Sequence, residues 1–90
     1  RAEMSLARAV SADAGGIHVA FEDGRVITVP LTERLIAATP EQRAAGYVED
    51  FGTSLRWEEI DEDLGVDSVL GVDEDEFLEF AGFIEGMPKE

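Results

Sequence analysis

The chain has 90 residues, of which 44% are hydrophobic, 21 are acidic and 7 are basic, so its formal charge is -14. A chain of this length buries one modest core, and we therefore expect a single domain. The charge argues against direct binding of nucleic acid, whose phosphates are held by lysine and arginine. It either keeps a small protein in solution or steers it toward a basic partner.

The sequence contains no cysteine, which excludes disulfides, thiolate metal sites and cysteine nucleophiles. No apolar run reaches the roughly 18 residues that a membrane-spanning helix needs. The first residues also lack the charged and then apolar build of a signal peptide. We therefore expect a cytoplasmic protein that has no contact with a membrane.

The first third of the chain predicts a three-stranded antiparallel meander. Residues 6–10 form a short apolar segment, and residues 17–21 alternate in the period of a half-buried strand. Asp23-Gly24 favours a tight hairpin turn, after which β-branched residues continue to Val29. Pro30 then ends the third strand, because proline cannot donate a hydrogen bond to a neighbouring strand.

Two helices are predicted to follow the meander. Thr32 caps a short helix that stops by Thr39. Thr39 to Gln42 forms a capping box with proline at the first helical position, so a second helix begins there and ends at Gly52. Apolar residues at helical spacing predict that this helix lies on the sheet; they are Ala44, Tyr47, Val48 and Phe51.

Residues 54–58 alternate again and predict a fourth strand. This strand carries Trp57, the only tryptophan, whose large apolar surface and indole N–H favour a buried position. An acidic run, Asp61 to Asp63, comes before a short helical segment at residues 66–70. Carboxylates at that position are typical of helix capping, because they meet the exposed N–H groups of the first turn.

The last segment predicts a C-terminal helix that begins at Asp73. Phe83 lies off the apolar stripe of this helix, so it is either an exposed contact or covered by a loop. The stripe itself consists of Phe77, Phe80, Ala81 and Ile84, and Gly86 and Pro88 are expected to end the helix.

Together these elements predict an α+β fold, in which a small antiparallel sheet is packed by helices and followed by a C-terminal helix. The sheet is expected to contain the three-strand meander plus a fourth strand. We expect one domain over residues 1–90, with a core at about residues 6–71 and an acidic helical tail at residues 72–90.

The residues give little support to catalysis, which needs groups of matched pKa in a cleft. His18 alternates with the apolar face of its strand, so a solvated histidine is a simpler interpretation than a general base. The serines lie outside any G-x-S-x-G motif, and the run from Asp61 fails the EF-hand pattern at its glycine and glutamate positions. We expect no enzyme and no cofactor, although acids such as Asp61, Asp63 or those at residues 73–76 leave open a divalent ion.

Two arginines allow a second kind of site. Arg34 and Arg43 are predicted on neighbouring helices, where they would either grip a carboxylate ligand or form salt bridges with the abundant acids. Gly15 and Gly16 form a turn that lacks the spacing of a phosphate-binding loop.

A series of short motifs occurs in a fixed order along the chain. They are Phe21, Asp23-Gly24-Arg25, Val29-Pro30-Leu31, Arg34-Leu35, residues 38–43 (ATPEQR), Trp57, residues 60–64 (IDEDL) and Val69-Leu70. In these motifs the sequence resembles, over about residues 6–71, the bacterial family of unknown function called DUF2442. It departs from that family at Thr32-Glu33, where an aromatic residue usually follows VPL, and in its Phe-rich acidic tail.

The resemblance implies a small α+β fold without established catalysis. It also implies pairing with a small second protein, in the manner of an antitoxin. The leading hypothesis is therefore a non-catalytic interaction module for a small basic protein, or for a second copy in a homodimer. The alternatives are a transcription-related regulator or nucleic-acid mimic, and a small metal-dependent hydrolase. The predicted partner-binding residues are Trp57, Asp61, Glu62, Asp63, Phe77, Phe80 and Phe83.

Overall fold

A computed structural model describes residues 4–83 of the chain. Within them, the strands are β1 (Ala7–Asp13), β2 (Gly16–Phe21), β3 (Val26–Val29), β4 (Tyr47–Glu49), β5 (Ser54–Trp57) and β6 (Glu62–Gly65). The helices are α1 (Glu33–Ile36), α2 (Pro40–Ala44), α3 (Val66–Leu70) and α4 (Glu74–Ala81), and a 3₁₀ turn spans Asp50–Gly52. The predicted α+β class and the C-terminal helix are confirmed.

The first three strands form an antiparallel sheet in the order β1-β2-β3, which confirms the predicted meander. On its inner face Ile17 pairs with Val29, Val19 pairs with Ile27, and Phe21 is completely buried. The β2–β3 turn is set by the Asp23 carboxylate, which accepts a hydrogen bond from the Arg25 N–H at 3.0 Å. The alternation seen in the sequence therefore separates a core face from an open face.

The predicted fourth strand exists as β5, but it does not extend the meander. It is the central strand of a second antiparallel sheet, in the order β4-β5-β6. Leu55 and Trp57 of β5 are buried, and the Trp57 indole N–H donates to the Arg43 carbonyl at 3.0 Å. The prediction that Trp57 is a core residue is thus confirmed.

The predicted helix over residues 39–52 is wrong beyond Ala44. The capping box at Thr39 is present, since the Gln42 N–H donates to the Thr39 hydroxyl and the Thr39 N–H donates to the Gln42 side chain. However, the chain leaves the helix before Gly46 and pairs with β5 as strand β4. The indole of Trp57 lies against Gly46, where a Cβ atom would come within 2.4 Å of Nε1. The tryptophan therefore occupies the space that a side chain at position 46 would need.

Both sheets and helices α1, α3 and α4 contribute to one hydrophobic core. Helix α1 is capped by Thr32, as predicted, and buries Leu35. Among residues 4–83, no helix is long and apolar enough to cross a membrane. The largest completely buried side chains are Trp57, Phe21, Phe77, Ile17, Leu35, Leu55, Val19 and Val66.

Candidate functional site

Three phenylalanine side chains lie exposed where the β4–β5 turn meets the end of helix α4. Phe51 is 84% exposed, Phe80 is 49% exposed and Phe83 is 46% exposed. The ring centroids of Phe51 and Phe83 are 5.9 Å apart, so the turn and the helix end are in direct contact. We refer to Phe51, Phe80 and Phe83 as the phenylalanine surface.

The backbone of the β4–β5 turn is what holds Phe51 outward. Asp50, Phe51 and Gly52 have φ values of 54°, 56° and 91°, all in the left-handed region. Gly52 allows close packing, because a Cβ atom there would come within 2.8 Å of the Leu6 side chain. A bulky residue in this region is uncommon and costs on the order of 1–3 kcal/mol. Phe51 was predicted on a buried helical stripe, and that prediction is wrong.

Helix α4 supplies the other two rings. The helix begins after Asp73, close to the predicted start, and the Asp73 carboxylate caps its first turn by accepting from the Glu76 N–H at 3.0 Å. Phe77 is completely buried and anchors the helix, and its ring stacks on that of Phe80 with centroids 6.1 Å apart. The sequence predicts Phe80 as a partner-binding residue and places it on the same apolar stripe as Phe77, whereas in the structure Phe77 is buried and Phe80 is exposed.

Helix α4 ends earlier than predicted, at Ala81. Gly82 adopts φ 93°, and its N–H donates to the Glu79 carbonyl, while the Phe83 N–H donates to the Leu78 carbonyl at 2.9 Å. These two bonds form the Schellman motif that commonly ends helices. They fix the place of Phe83 beside Phe51. The other predicted features of this tail, Ile84, Gly86 and Pro88, lie outside the described residues.

Acidic side chains flank the phenylalanine surface on α4. A groove of about 460 Å³ is lined by Met4, Glu76, Glu79 and Phe80. Counting only partners among residues 4–83, no basic side chain pairs with the carboxylates of α4. Among residues 4–83, the surface therefore combines exposed aromatic rings with carboxylates that have no basic partner.

The second predicted acidic group, Asp61 to Asp63, has a different environment. Arg56 donates to the Asp61 carboxylate at 2.9 Å and to the Asp63 carboxylate at 3.2 Å, and Glu58 lies 3.5 Å from the same guanidinium. The Asp61 hydrogen bond in particular raises the pKa of Arg56. These three carboxylates share the single guanidinium of Arg56, which offsets part of their negative charge within the β5–β6 hairpin.

The predicted capping role of the acidic run is wrong. Helix α3 is capped by Gly65, which has no side chain to accept a hydrogen bond. Glu62 instead belongs to β6 and accepts a hydrogen bond from the Thr32 hydroxyl at 2.6 Å. Of the seven predicted partner-binding residues, the structure brings Phe80 and Phe83 to one surface and buries Trp57 and Phe77 in the core.

The two arginines predicted to bind carboxylates bind backbone carbonyls instead. Arg43 donates from Nε to the Leu35 carbonyl at 2.8 Å and from Nη2 to the Ile36 carbonyl at 3.0 Å. It thereby satisfies the C-terminal end of helix α1. Arg34 donates to the Ile60 carbonyl at 3.1 Å. Among residues 4–83, neither arginine forms one of the expected salt bridges with a carboxylate.

His18 lies on the open face of the first sheet between a carboxylate and a hydroxyl. Its Nε2 is 2.9 Å from Asp13 Oδ1, and its Nδ1 is 2.9 Å from Thr28 Oγ1. The bond from His18 is the main cause that lowers the pKa of Asp13. This connectivity matches a nucleophilic triad, but acyl transfer also needs donors aimed at an oxyanion. The adjoining groove is lined mainly by hydrocarbon groups, including those of Ala20 and Val26.

Two further features limit the chemistry of the described residues. A cavity of about 180 Å³ near Val29, Leu64 and Val69 is smaller than typical ligand pockets of about 300–1,000 Å³. Within residues 4–83, no three histidine or acidic side chains are arranged to hold a metal ion. The phenylalanine surface is therefore the most developed candidate site.

Comparison with other proteins supports the fold and a family. A crystal structure at 2.75 Å of a protein of unknown function from Rhodospirillum rubrum ATCC 11170 has a similar fold, with a TM-score of 0.61 and 24% sequence identity. The similarity covers 81% of this chain and 95% of that chain. None of the curated proteins matches the sequence. The family model described as "Protein of unknown function (DUF2442)" matches residues 7–74, from β1 to the first residue of α4, and the chain therefore belongs to the DUF2442 family.

Proposed function

We propose that this protein is a non-catalytic interaction module that binds a small basic protein through the phenylalanine surface. The observation that carries the proposal is the contact between Phe51 and Phe83, two rings that remain exposed although they touch. Clustered exposed aromatic side chains are typical of protein interfaces, where Phe, Tyr and Trp are enriched. The resemblance to the family implies pairing with a small second protein, in the manner of an antitoxin, and this expectation agrees with the proposed role.

The charge of the chain favours a basic partner over a second copy. Each copy carries a formal charge of -14, so two copies repel one another, whereas a basic protein is attracted. Phe80 lies beside Glu76 and Glu79 in the groove on α4, so apolar contact and charge attraction act at the same place. We therefore propose association with a basic protein in the cytoplasm and no direct binding of nucleic acid, whose phosphates the charge of -14 repels.

The test is capture of a partner from a lysate of the source organism by three tagged proteins. They are the unmodified protein, Phe51→Asn and Val26→Thr. Val26 is 66% exposed on the first sheet, so its substitution removes an exposed apolar group elsewhere without changing the charge. We expect a small basic protein that binds the unmodified chain and Val26→Thr, is lost with Phe51→Asn, and is released by salt.

Two results would contradict the proposal. One is equal capture by all three proteins, which would place binding away from the phenylalanine surface. The other is a monomer in light scattering that captures nothing at low salt. A doubled mass that depends on Phe51 would instead identify the same surface as a homodimer interface.

A further inference from the structure

Backbone N–H groups on both sides of the phenylalanine surface donate hydrogen bonds within the chain. The Thr53 N–H donates to the Asp50 carbonyl at 3.2 Å, and the Gly82 and Phe83 N–H groups donate to carbonyls of α4. The surface therefore presents side chains from a turn and a helix end, whereas strand addition requires an unpaired strand edge. A partner segment that lies here must satisfy its own backbone, and a helix does so internally.

From this geometry, and resting on the proposed function, we infer that the phenylalanine surface binds an amphipathic basic helix. Side chains at positions i and i+4 of a helix have Cβ atoms about 5–6 Å apart. That spacing matches the 5.9 Å between the rings of Phe51 and Phe83, so two aliphatic side chains of one helix face contact both rings. Phe51 is the anchor, because it is the most exposed of the three.

Charge defines the rest of the bound helix. The carboxylates of Glu76 and Glu79 line the groove beside Phe80, and neither has a basic partner among residues 4–83. Lysine or arginine side chains on the borders of the apolar face would meet these carboxylates. An acidic or neutral amphipathic helix would gain the apolar contact but would lose the attraction.

The probe is a short fluorescein-labelled peptide of leucine and lysine, with the leucines spaced to form one helix face. A control peptide of the same composition alternates leucine and lysine, which gives it the same charge without a helical apolar face. Anisotropy titrations compare the unmodified protein, Phe51→Asn and Val26→Thr. Asparagine adopts the left-handed conformation more readily than phenylalanine, so Phe51→Asn is expected to fold with at least the original stability.

We expect the helical peptide to bind the unmodified protein and Val26→Thr equally. Phe51→Asn should weaken binding about 10- to 100-fold, which is the loss that one buried phenylalanine side chain produces. The control peptide should bind more weakly and show no dependence on Phe51. Equal affinity of both peptides, or equal affinity of the two variants, would overturn the inference, because charge alone then explains the binding.

The two proposals can fail separately. If Phe51→Asn loses a partner from the lysate but not the helical peptide, the interaction module stands and the helical ligand is wrong. If the substitution changes neither, both proposals fall. Melting curves of the variants, followed by Trp57 fluorescence, verify that each protein is folded in these experiments.

Discussion

Replacement of Gly46 by alanine tests the packing that joins helix α2 to the second sheet. The backbone of Gly46 is outside the left-handed region, so alanine is conformationally allowed. The obstacle is space, because the new Cβ atom would lie 2.4 Å from Nε1 and 2.6 Å from Cε2 of Trp57. Trp57 is completely surrounded, and its rigid ring cannot move without displacing the core.

The expected loss of stability follows from three effects. Overpacking of a core costs about 1–3 kcal/mol, and a clash with a rigid ring belongs at the upper end of that range. Displacement of the indole also weakens the 3.0 Å hydrogen bond to the Arg43 carbonyl, which contributes about 1 kcal/mol. In the opposite direction, alanine lowers the conformational entropy of the unfolded chain, which stabilises the folded protein by about 0.4–1 kcal/mol. We therefore expect Gly46→Ala to lower the free energy of unfolding by about 2–3 kcal/mol.

The assay is guanidinium unfolding followed by Trp57 fluorescence, since the chain has a single tryptophan. Gly15→Ala is the matched control, because Gly15 is also outside the left-handed region and its new Cβ atom meets only an exposed carboxylate oxygen of Asp13, at 3.2 Å. The control should change the free energy of unfolding by less than about 1 kcal/mol. Equal midpoints for both variants, with unchanged Trp57 emission, would refute the role assigned to Gly46.

Three further predictions concern exposed polar contacts. The hydroxyl of Tyr47, the only tyrosine, donates to Glu58 at 2.9 Å, and this bond raises the pKa of the phenol. Absorbance titration should show a lower pKa for Tyr47 in Glu58→Gln than in the unmodified protein. The contribution of this hydrogen bond to the stability of the fold should disappear as pH rises through the pKa of Tyr47 in the folded state. An unchanged titration in Glu58→Gln would contradict the contact. The pKa of Asp13 is lowered mainly by His18, so its stabilising contribution is present above the ordinary value of 3.8 and is lost as pH falls through the folded-state pKa. The melting temperature of Asp13→Asn should therefore fall less steeply in acid than that of the unmodified protein, and parallel curves would disprove the coupling. Substitution of Arg56 by glutamine leaves its neighbouring carboxylates to repel one another, so it should lower the melting temperature more at low salt than at high salt. A loss that does not depend on salt would mean that packing, and not charge, is the role of this arginine.

Local signals in the sequence predict much of the fold, because their physical causes are also local. The Asp23-Gly24 turn and the Thr39 capping box each depend on hydrogen bonds within a few residues, and both occur in the structure. The strand over Glu62–Gly65 could not be predicted in this way, since acidic residues are rare in strands. It forms because Asp63 pairs across the sheet with Arg56, which is seven positions away.

The candidate site was partly predictable for the same reason. Helix α4 is marked at its start by its own cap, so the positions of Phe80 in its last turn and of Phe83 just beyond its end follow from spacing. Phe51 was missed because Tyr47, Val48 and Phe51 have helical spacing, whereas strand β4 is too short to show alternation. Gly46 and Gly52 did indicate a break in the helix, because they stand at the two ends of the segment that forms β4 and the turn after it.

The conformation of Phe51 bears on why the phenylalanine surface exists. Its left-handed backbone conformation costs on the order of 1–3 kcal/mol of stability. Its ring is 84% exposed, so most of the stabilisation that burial of a phenylalanine side chain gives is absent. Asparagine or glycine at this position would remove the backbone cost and still close the turn above Gly52. The ring contact with Phe83 stabilises the fold by about 0.5–1.5 kcal/mol, which is less than the backbone strain and the lost burial together. Stability within the described part of the chain therefore does not explain a phenylalanine here, and burial of its ring against a partner is the explanation that we propose.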